Sequence, residues 1–190
     1  MEKLRRWLPT ALLLLLAITS GVLLRQFEDG HSLGPGEERA TPDFFMEDFI
    51  STIMSPSGIP LRTLSAKRLD HYPDTQTNHL EAPYLVLHYG EQPAWHVRSE
   101  RGWVYESGLV ALLGKVHAWR DTDAGERAID IHTWDMRILP EQEFGETDQP
   151  VTIITRTQTS RGMGMRAYLA ESRLELMARV TTEVTGHLNR

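Results

Sequence analysis

Two short groups of acidic and histidine residues have spacings that suggest chemistry. Residues 70–74 read Asp-His-Tyr-Pro-Asp, which suggests an acid/base set, but Pro and Asp are also common turn residues. Asp130, His132 and Asp135 would form at most a loose surface cluster, because no His-x-His pair places two imidazoles on one strand face. We therefore expect no metal site, no catalytic site and no cofactor.

Motifs and composition exclude several other functions. The chain has no G-x-S-x-G elbow, no H-E-x-x-H helix and no phosphate-binding loop, and Gly162-Met163-Gly164 lacks the third glycine of a nucleotide fingerprint. Its cysteine count of 0 removes disulfides, thiolate ligands and cysteine nucleophiles. A net charge of −6 without a Lys/Arg block beyond the N-terminus makes nucleic acid an unfavourable partner. The sequence does not indicate an enzyme.

The N-terminal apolar run predicts a membrane anchor. Residues 7–24 carry no charged side chain and would span roughly 27 Å as a helix. Lys3, Arg5 and Arg6 precede this run, so residues 1–6 are expected in the cytoplasm and the rest of the chain on the outer side. The alternative is a cleaved signal peptide, whose apolar core would be about 7 to 15 residues long and end in an A-x-A-like site.

Residues 25–42 predict a linker, since they are rich in glycine and charge and lack an apolar period. The folded domain is expected over residues 43–188. Turn clusters recur there about every 10 to 14 residues and separate runs of strand length. These predicted turns are residues 55–58, 72–74, 90–93, 106–108, 121–125, 140–150 and 160–162.

Regularly spaced strands without helices between them predict an all-β sandwich, barrel or roll of antiparallel strands. Two segments are ambiguous. Residues 44–54 fit a helix or a strand, and we favour an edge strand. Residues 170–179 have helix propensity, whereas residues 180–184 prefer strand.

An ordered set of short motifs resembles the LptC family of lipopolysaccharide-export proteins. The set covers nearly the whole chain and also includes the N-terminal anchor. Its motifs are Pro56-x-Gly58, Leu64-x-Ala66, Tyr72-x-Asp74, Leu80 before Pro83, Pro93-x-Trp95-x-Val97, Leu112-x-Gly114-x-Val116 and Gly162-Met163-x-Met165-Arg166. The resemblance implies an open β-jellyroll in the periplasm, held to the inner membrane by a single span. It also implies that this jellyroll receives lipopolysaccharide from the LptB-LptF-LptG transporter and passes it to LptA.

Strand parity assigns one set of apolar side chains to the inner face of such a roll. Each of these residues alone is best explained as core, and the resemblance implies that together they line a groove for acyl chains. They are Leu64, Ala66, Leu69, Leu80, Leu85, Leu87, Trp95, Val97, Val110, Leu112, Val116, Ile129, Ile131, Ile138, Val151, Ile153, Met163 and Met165.

The resemblance further implies two docking edges, the N-terminal one for LptF and the C-terminal one for LptA by strand addition. The candidate docking residues are Phe44, Phe49, Ile53, Gly114, Leu174, Leu176 and Val180. One alternative is an anchored periplasmic scaffold without lipid cargo, which would have a dry, filled core. A periplasmic hydrolase is a third interpretation and would need convergent polar groups in a pocket.

Gly114 matches a family position at which a side chain would crowd the sheet. We therefore expect Gly114→Arg to disrupt assembly with the partners. Co-purification of the variant with LptA and the transporter measures this, and normal recovery of both partners would refute the expectation.

Overall fold

Ten antiparallel strands and one short 3-10 helix make up the part of the chain that the structure describes. The structure is a computed structural model, and it describes residues 41–89 and 92–184. The strands are β1 Phe44–Met54, β2 Pro60–Tyr72, β3 Thr77–Glu81, β4 Tyr84–Leu87, β5 Trp95–Tyr105, β6 Val110–Asp121, β7 Arg127–Leu139, β8 Phe144–Thr155, β9 Gln158–Tyr168 and β10 Arg173–Val184, with the 3-10 helix at Pro140–Gln142 between β7 and β8.

The strands form one sheet in sequence order. β3 and β4 share a single place in it, since each pairs with a different half of β2 and of β5. β1 and β10 are the two ends of the sheet, which confirms the edge strand favoured for residues 44–54. The all-β prediction is confirmed, and the sheet is jellyroll-like because it folds over on itself.

Residues 170–179, which the sequence left ambiguous, are resolved by cross-strand pairing with β9, which places residues 173–179 in β10 against their helix propensity. One predicted turn is wrong and another is too long. The turn predicted at residues 160–162 lies inside β9, and the turn predicted at 140–150 ends before Phe144. In both cases Gly and Pro occupy strand positions, and the chain reverses instead at residues 156–157 and 140–143.

The described residues contain no helix that is long and apolar enough to cross a membrane. The predicted anchor at residues 7–24 and most of the predicted linker lie outside the described residues. The described residues from Pro42 to Val184 belong to one compact unit.

A line of backbone irregularities crosses the whole sheet, and we call it the crease. Each residue of the crease has a positive φ or lies where the strand register shifts. From edge to edge the crease comprises Asp48, Ala82, Glu100, Gly114, Asp135, Gly164 and Arg179. Irregularities of this kind bend a strand and increase its twist, so each long strand is divided into two halves at the crease.

The bend brings residues from opposite sides of the crease together. Arg120, near the end of β6, donates a hydrogen bond across the crease to Ser172 in the β9–β10 turn, and it donates a second one to Gln92 on its own side, near the start of β5. Arg62 of β2 lies 3.6 Å from Glu141 in the 3-10 helix. These contacts join the two layers that the crease creates, and the apolar core lies between them.

Gly114 shows what the crease requires of the backbone. Its φ is +79°, and its N–H donates to Asp135 Oδ1 at 2.8 Å. A Cβ at this position would lie 2.5 Å from Glu100 Oε2, but that carboxylate is the end of a flexible side chain and can move. The lasting cost of a side chain is therefore the left-handed backbone.

We expect Gly114→Ala to lower the free energy of unfolding by about 1 to 3 kcal/mol. Gly114→Asn should lower the free energy of unfolding by less than Gly114→Ala does, because asparagine tolerates a left-handed φ better than alanine. Urea unfolding of the full chain in detergent measures both values. Gly58→Ala reports the cost of the backbone alone, since Gly58 has the same φ of +79° and nothing within 4 Å of its added Cβ, and it should lose a similar free energy of unfolding. An unchanged stability of Gly114→Ala would contradict the expectation.

Candidate functional site

The inner face of the folded sheet is apolar from one edge strand to the other. A main cluster of buried side chains extends from β4 to β9, and a smaller cluster of Ala66, Leu69 and Leu80 lies nearer β1. Leu64 packs against both clusters, as does Val104. The face is thus continuous across the sheet.

The residues predicted to line the groove lie on this inner face, with one exception. Leu64 and Ile129 are half-buried members of it, and Met163 is half-buried but is not part of either cluster. The remaining predicted residues are buried. At the centre the packing is dense, since Leu112 is 1% exposed and Ile138 is 0% exposed. The centre of the face is therefore a filled core, and half-buried positions occur near the edge strands, at Leu64, as well as in β7, at Ile129.

Several inner-face residues escaped the sequence analysis. Ala118, Met136, Ala167 and Leu169 are buried in the main cluster. The inward parity of β7 changes at the crease, from odd numbers before it to even numbers after it. Met136 therefore lies on the same face as Ile138, which the sequence analysis did assign to the inner face.

Tyr89 lies where the two layers meet near the 3-10 helix. It packs against the main cluster, and its hydroxyl is buried without a hydrogen-bond partner among the described residues. Burial raises the pKa of Tyr89 to about 12, with a smaller contribution from the negative charge of Glu143. Tyr89 is therefore a neutral part of the closed layer contact at physiological pH.

The N-terminal edge strand β1 exposes apolar side chains on both of its faces. Phe44, Ile50 and Ile53 are exposed, whereas Phe49 packs against the smaller cluster. Arg68 of β2 holds this strand from outside the core through hydrogen bonds to Asp70 and Glu47 and through its position over the ring of Phe45. The hydrogen bonds to Arg68 keep the pKa of Asp70 below its usual value.

The C-terminal edge strand β10 has one apolar row facing in and another facing solvent. Leu174 and Leu176, predicted as docking residues, are half-buried and pack against the main cluster. Met177, Val180 and Val184 are exposed, and Val180 is 54% exposed. Within the described residues, no strand pairs with the outer side of β1 or of β10. Both ends of the sheet thus present free backbone groups beside exposed apolar side chains.

A family model described as lipopolysaccharide-assembly, LptC-related, matches residues 10–185. The chain belongs to the LptC family. The solved structure of LptH, the LptA-homologous periplasmic component of the conserved lipopolysaccharide transport device of Pseudomonas aeruginosa, has a similar fold. The TM-score is 0.53 at 6% identity, over 66% of this chain and 95% of that chain, so this likeness concerns the fold alone. No curated protein matches the chain in sequence.

Membership of the LptC family and the LptA-like fold support a role in lipopolysaccharide transport and a periplasmic location for the described domain. Neither comparison indicates catalysis. The roles of the named residues in lipid contact and partner docking stay predictions.

Gly114 occupies a different place from the other docking candidates of this LptC-family chain. It lies in the central strand β6, far in the strand order from β1 and β10. A substitution there acts on the crease, and through the crease on the spacing of the two layers. An effect on partner binding would therefore be indirect.

The two polar groups considered in the sequence analysis, residues 70–74 and the set of Asp130, His132 and Asp135, make the following contacts in the structure. Asp70 bonds Arg68 and His71 bonds Asn78, so residues 70–74 serve the sheet and its turn. Asp135 binds the Gly114 N–H, away from Asp130 and His132. His117 of β6 takes its place beside those two residues, a neighbour that could not be identified without the strand register.

Proposed function

We propose that this LptC-family chain receives lipopolysaccharide from the LptB-LptF-LptG transporter, covers its acyl chains with the inner face of the sheet, and passes it to LptA. The observation that carries the proposal is the apolar face that runs without interruption between two unpaired edge strands. The chain would act as an accessory subunit of the transporter at the cell inner membrane.

Physical chemistry explains why such a face is needed. Exposing acyl chains to water costs about 0.8 kcal/mol per CH₂, so several chains together cost tens of kcal/mol. A carrier must replace water along the whole path of the chains. The half-buried Leu64 near one edge and Leu176 near the other mark the two ends of that path.

The filled centre requires a movement before lipid passes. Leu87, Leu112 and Met165 are each nearly inaccessible, so acyl chains cannot enter between the layers in the closed form. Separation of the layers along the crease would open them, and the acyl chains would then replace the contacts that the side chains lose. The polar contacts across the layers, Arg120 with Ser172 and Arg62 with Glu141, are exchangeable with water, which favours such an opening.

The two edges suit different partners. We assign β1 to the periplasmic part of LptF and β10 to LptA, each by strand addition to an unpaired edge. An open edge is an aggregation hazard unless a partner covers it. Since β1 and β10 also expose apolar side chains, we expect partner strands to cover both edges for most of the time. Residues 7–24 would hold the chain beside the transporter as a single membrane span.

A second candidate is an anchored periplasmic scaffold that binds the same partners without touching lipid. The observation that favours it is the dense packing of the centre, where Ile138 is 0% exposed. Both candidates predict docking at the edges. They differ in whether lipid ever reaches the inner face.

Site-specific photocrosslinking in cells separates the two candidates. A photoreactive residue is placed at Leu64, Leu112 or Leu176 on the inner face, and at Ile154 as the control. Ile154 is an exposed apolar residue of β8, beside the buried Ile153, so it matches the chemistry but faces outward. We expect lipopolysaccharide adducts at the inner positions that depend on ATP hydrolysis by the transporter, and none at Ile154.

Each result decides between the candidates. Adducts at all three inner positions indicate a conduit that opens at its centre. Adducts at Leu64 and Leu176 but not at Leu112 indicate that lipid contacts the inner face near the two edge strands and does not enter the core. An absence of adducts in variants that still co-purify with LptA and the transporter would favour the scaffold.

Val180→Lys tests the C-terminal edge. A lysine on an exposed edge strand disfavours pairing with another strand, so we expect at least about tenfold weaker binding of LptA, roughly 1.4 kcal/mol. Co-purification and binding titrations measure the loss, and the unfolding transition should not move because Val180 is exposed. Ile154→Lys is the control that adds the same charge away from the edge. Equal LptA binding by both variants and the parent chain would exclude β10 as the docking edge.

A further inference from the structure

Three side chains with metal-binding atoms meet on the outer face of β6 and β7. His117 and His132 are cross-strand partners, and their imidazole rings are stacked at 4.6 Å with an angle of 4° between the planes. Nε2 of His117 hydrogen-bonds Oδ1 of Asp130, and Nε2 of His132 lies 3.5 Å from the same oxygen. The three ligand atoms are all within 4.8 Å of one another.

Two imidazoles and one carboxylate form a ligand set that zinc and related divalent metals use in proteins. In a four-coordinate zinc site each ligand atom lies about 2.0 to 2.2 Å from the metal, which places ligand atoms roughly 3.4 Å apart. The observed spacings lie on both sides of that value, so small side-chain rotations suffice. We propose that His117, Asp130 and His132 bind a divalent transition metal such as Zn²⁺, with a fourth position open to solvent.

The surroundings of Asp130 suit this assignment. Its second oxygen, Oδ2, lies 3.6 Å from Nη1 of Arg127, and Arg127 is itself fixed by Asp121 at 2.8 Å. A metal-bound carboxylate is commonly oriented by such an outer partner. The ring of Trp119 stacks beside His117 at 4.7 Å and limits the rotation of that imidazole.

The open side of the cluster faces a depression of about 550 Å³ that His117 and His132 help to line. This space admits a water molecule, an anion or a side chain of a partner as the fourth ligand. Lys115, Arg98 and Glu100 also line it. The two cations outnumber the one carboxylate, so the lining favours an anionic fourth ligand on the metal.

The expected affinity is modest. Nδ1 of His117 is buried without a hydrogen-bond partner among the described residues, so this ring lacks the outer hydrogen bond that usually orients a metal-bound imidazole. The site does not depend on lipid binding, since it lies on the face of the sheet opposite the apolar core. It would tie β6 to β7 next to the crease.

Thermal unfolding of the full chain, purified in detergent without a polyhistidine tag and stripped with a chelator, tests the proposal. Zn²⁺ at about a hundred times its dissociation constant should raise Tm by about 5 to 10 °C. Co²⁺ should give the visible absorption bands of a low-coordinate site with nitrogen and oxygen ligands.

His132→Gln is the decisive variant, because its side chain is 53% exposed and its loss does not disturb the core. It should melt like the parent chain without metal and bind Zn²⁺ at least about 100-fold more weakly, as loss of an outer partner alone costs about 10- to 100-fold. Asp130→Asn should weaken Zn²⁺ binding in the same way as His132→Gln. His88→Gln, which removes a histidine elsewhere, should keep the full Zn²⁺ shift.

Two results would overturn the proposal. One is the absence of any Zn²⁺-induced shift in the parent chain, which would leave the cluster as a hydrogen-bonded His-Asp-His group. The other is an equal shift in His132→Gln and in the parent chain, which would place the metal at other residues.

Discussion

The hydrogen bond from the Gly114 backbone N–H to the Asp135 carboxylate lies within the bend that the crease makes across the sheet. Without that bend, the apolar residues of the two strand halves would share one flat face and remain in contact with water. With it, the halves cover one another and bury that face. Asp48, Asp135 and Arg179 adopt positive φ at the crease, a conformation that costs about 1 to 3 kcal/mol for a non-glycine residue. Burial of large side chains, each worth about 1.5 to 3 kcal/mol, offsets this strain.

The same architecture leaves the sheet unclosed. A closed barrel would satisfy the backbone groups of β1 and β10 against each other, but it would also seal the inner face. Within its described residues the LptC-family chain retains both ends, with an enclosed centre and half-buried inner-face side chains near each end. Leu112 is enclosed, whereas Leu64 and Leu176 are half-buried. Half-buried side chains near the ends are compatible with a surface that has to exchange one occupant for another.

Local pattern was sufficient to predict much of this architecture. Alternation in segments such as residues 95–98 and 151–156 identified strands and their inward residues, and the early apolar segment proved to be the edge strand. Pro83, expected to interrupt a strand, separates β3 from β4. The sequence analysis did not locate the crease, at which Asp135 takes a positive φ and the inward parity of β7 changes. Propensity also misjudged residues 173–179, where pairing with β9 decides the conformation. The grouping of His117 with Asp130 and His132 depends on register, which a single sequence does not specify.

The sequential order of the strands has a consequence for how the protein is made. Each strand pairs with a neighbour in the chain, so contacts are short in sequence and the sheet can grow hairpin by hairpin as the polypeptide emerges. Among the described strands, β1 is synthesised first and β10 last. During that interval the most recently made strand is always the free margin of the sheet. The described sheet keeps such a free margin at β10, the strand to which any further strand would be added.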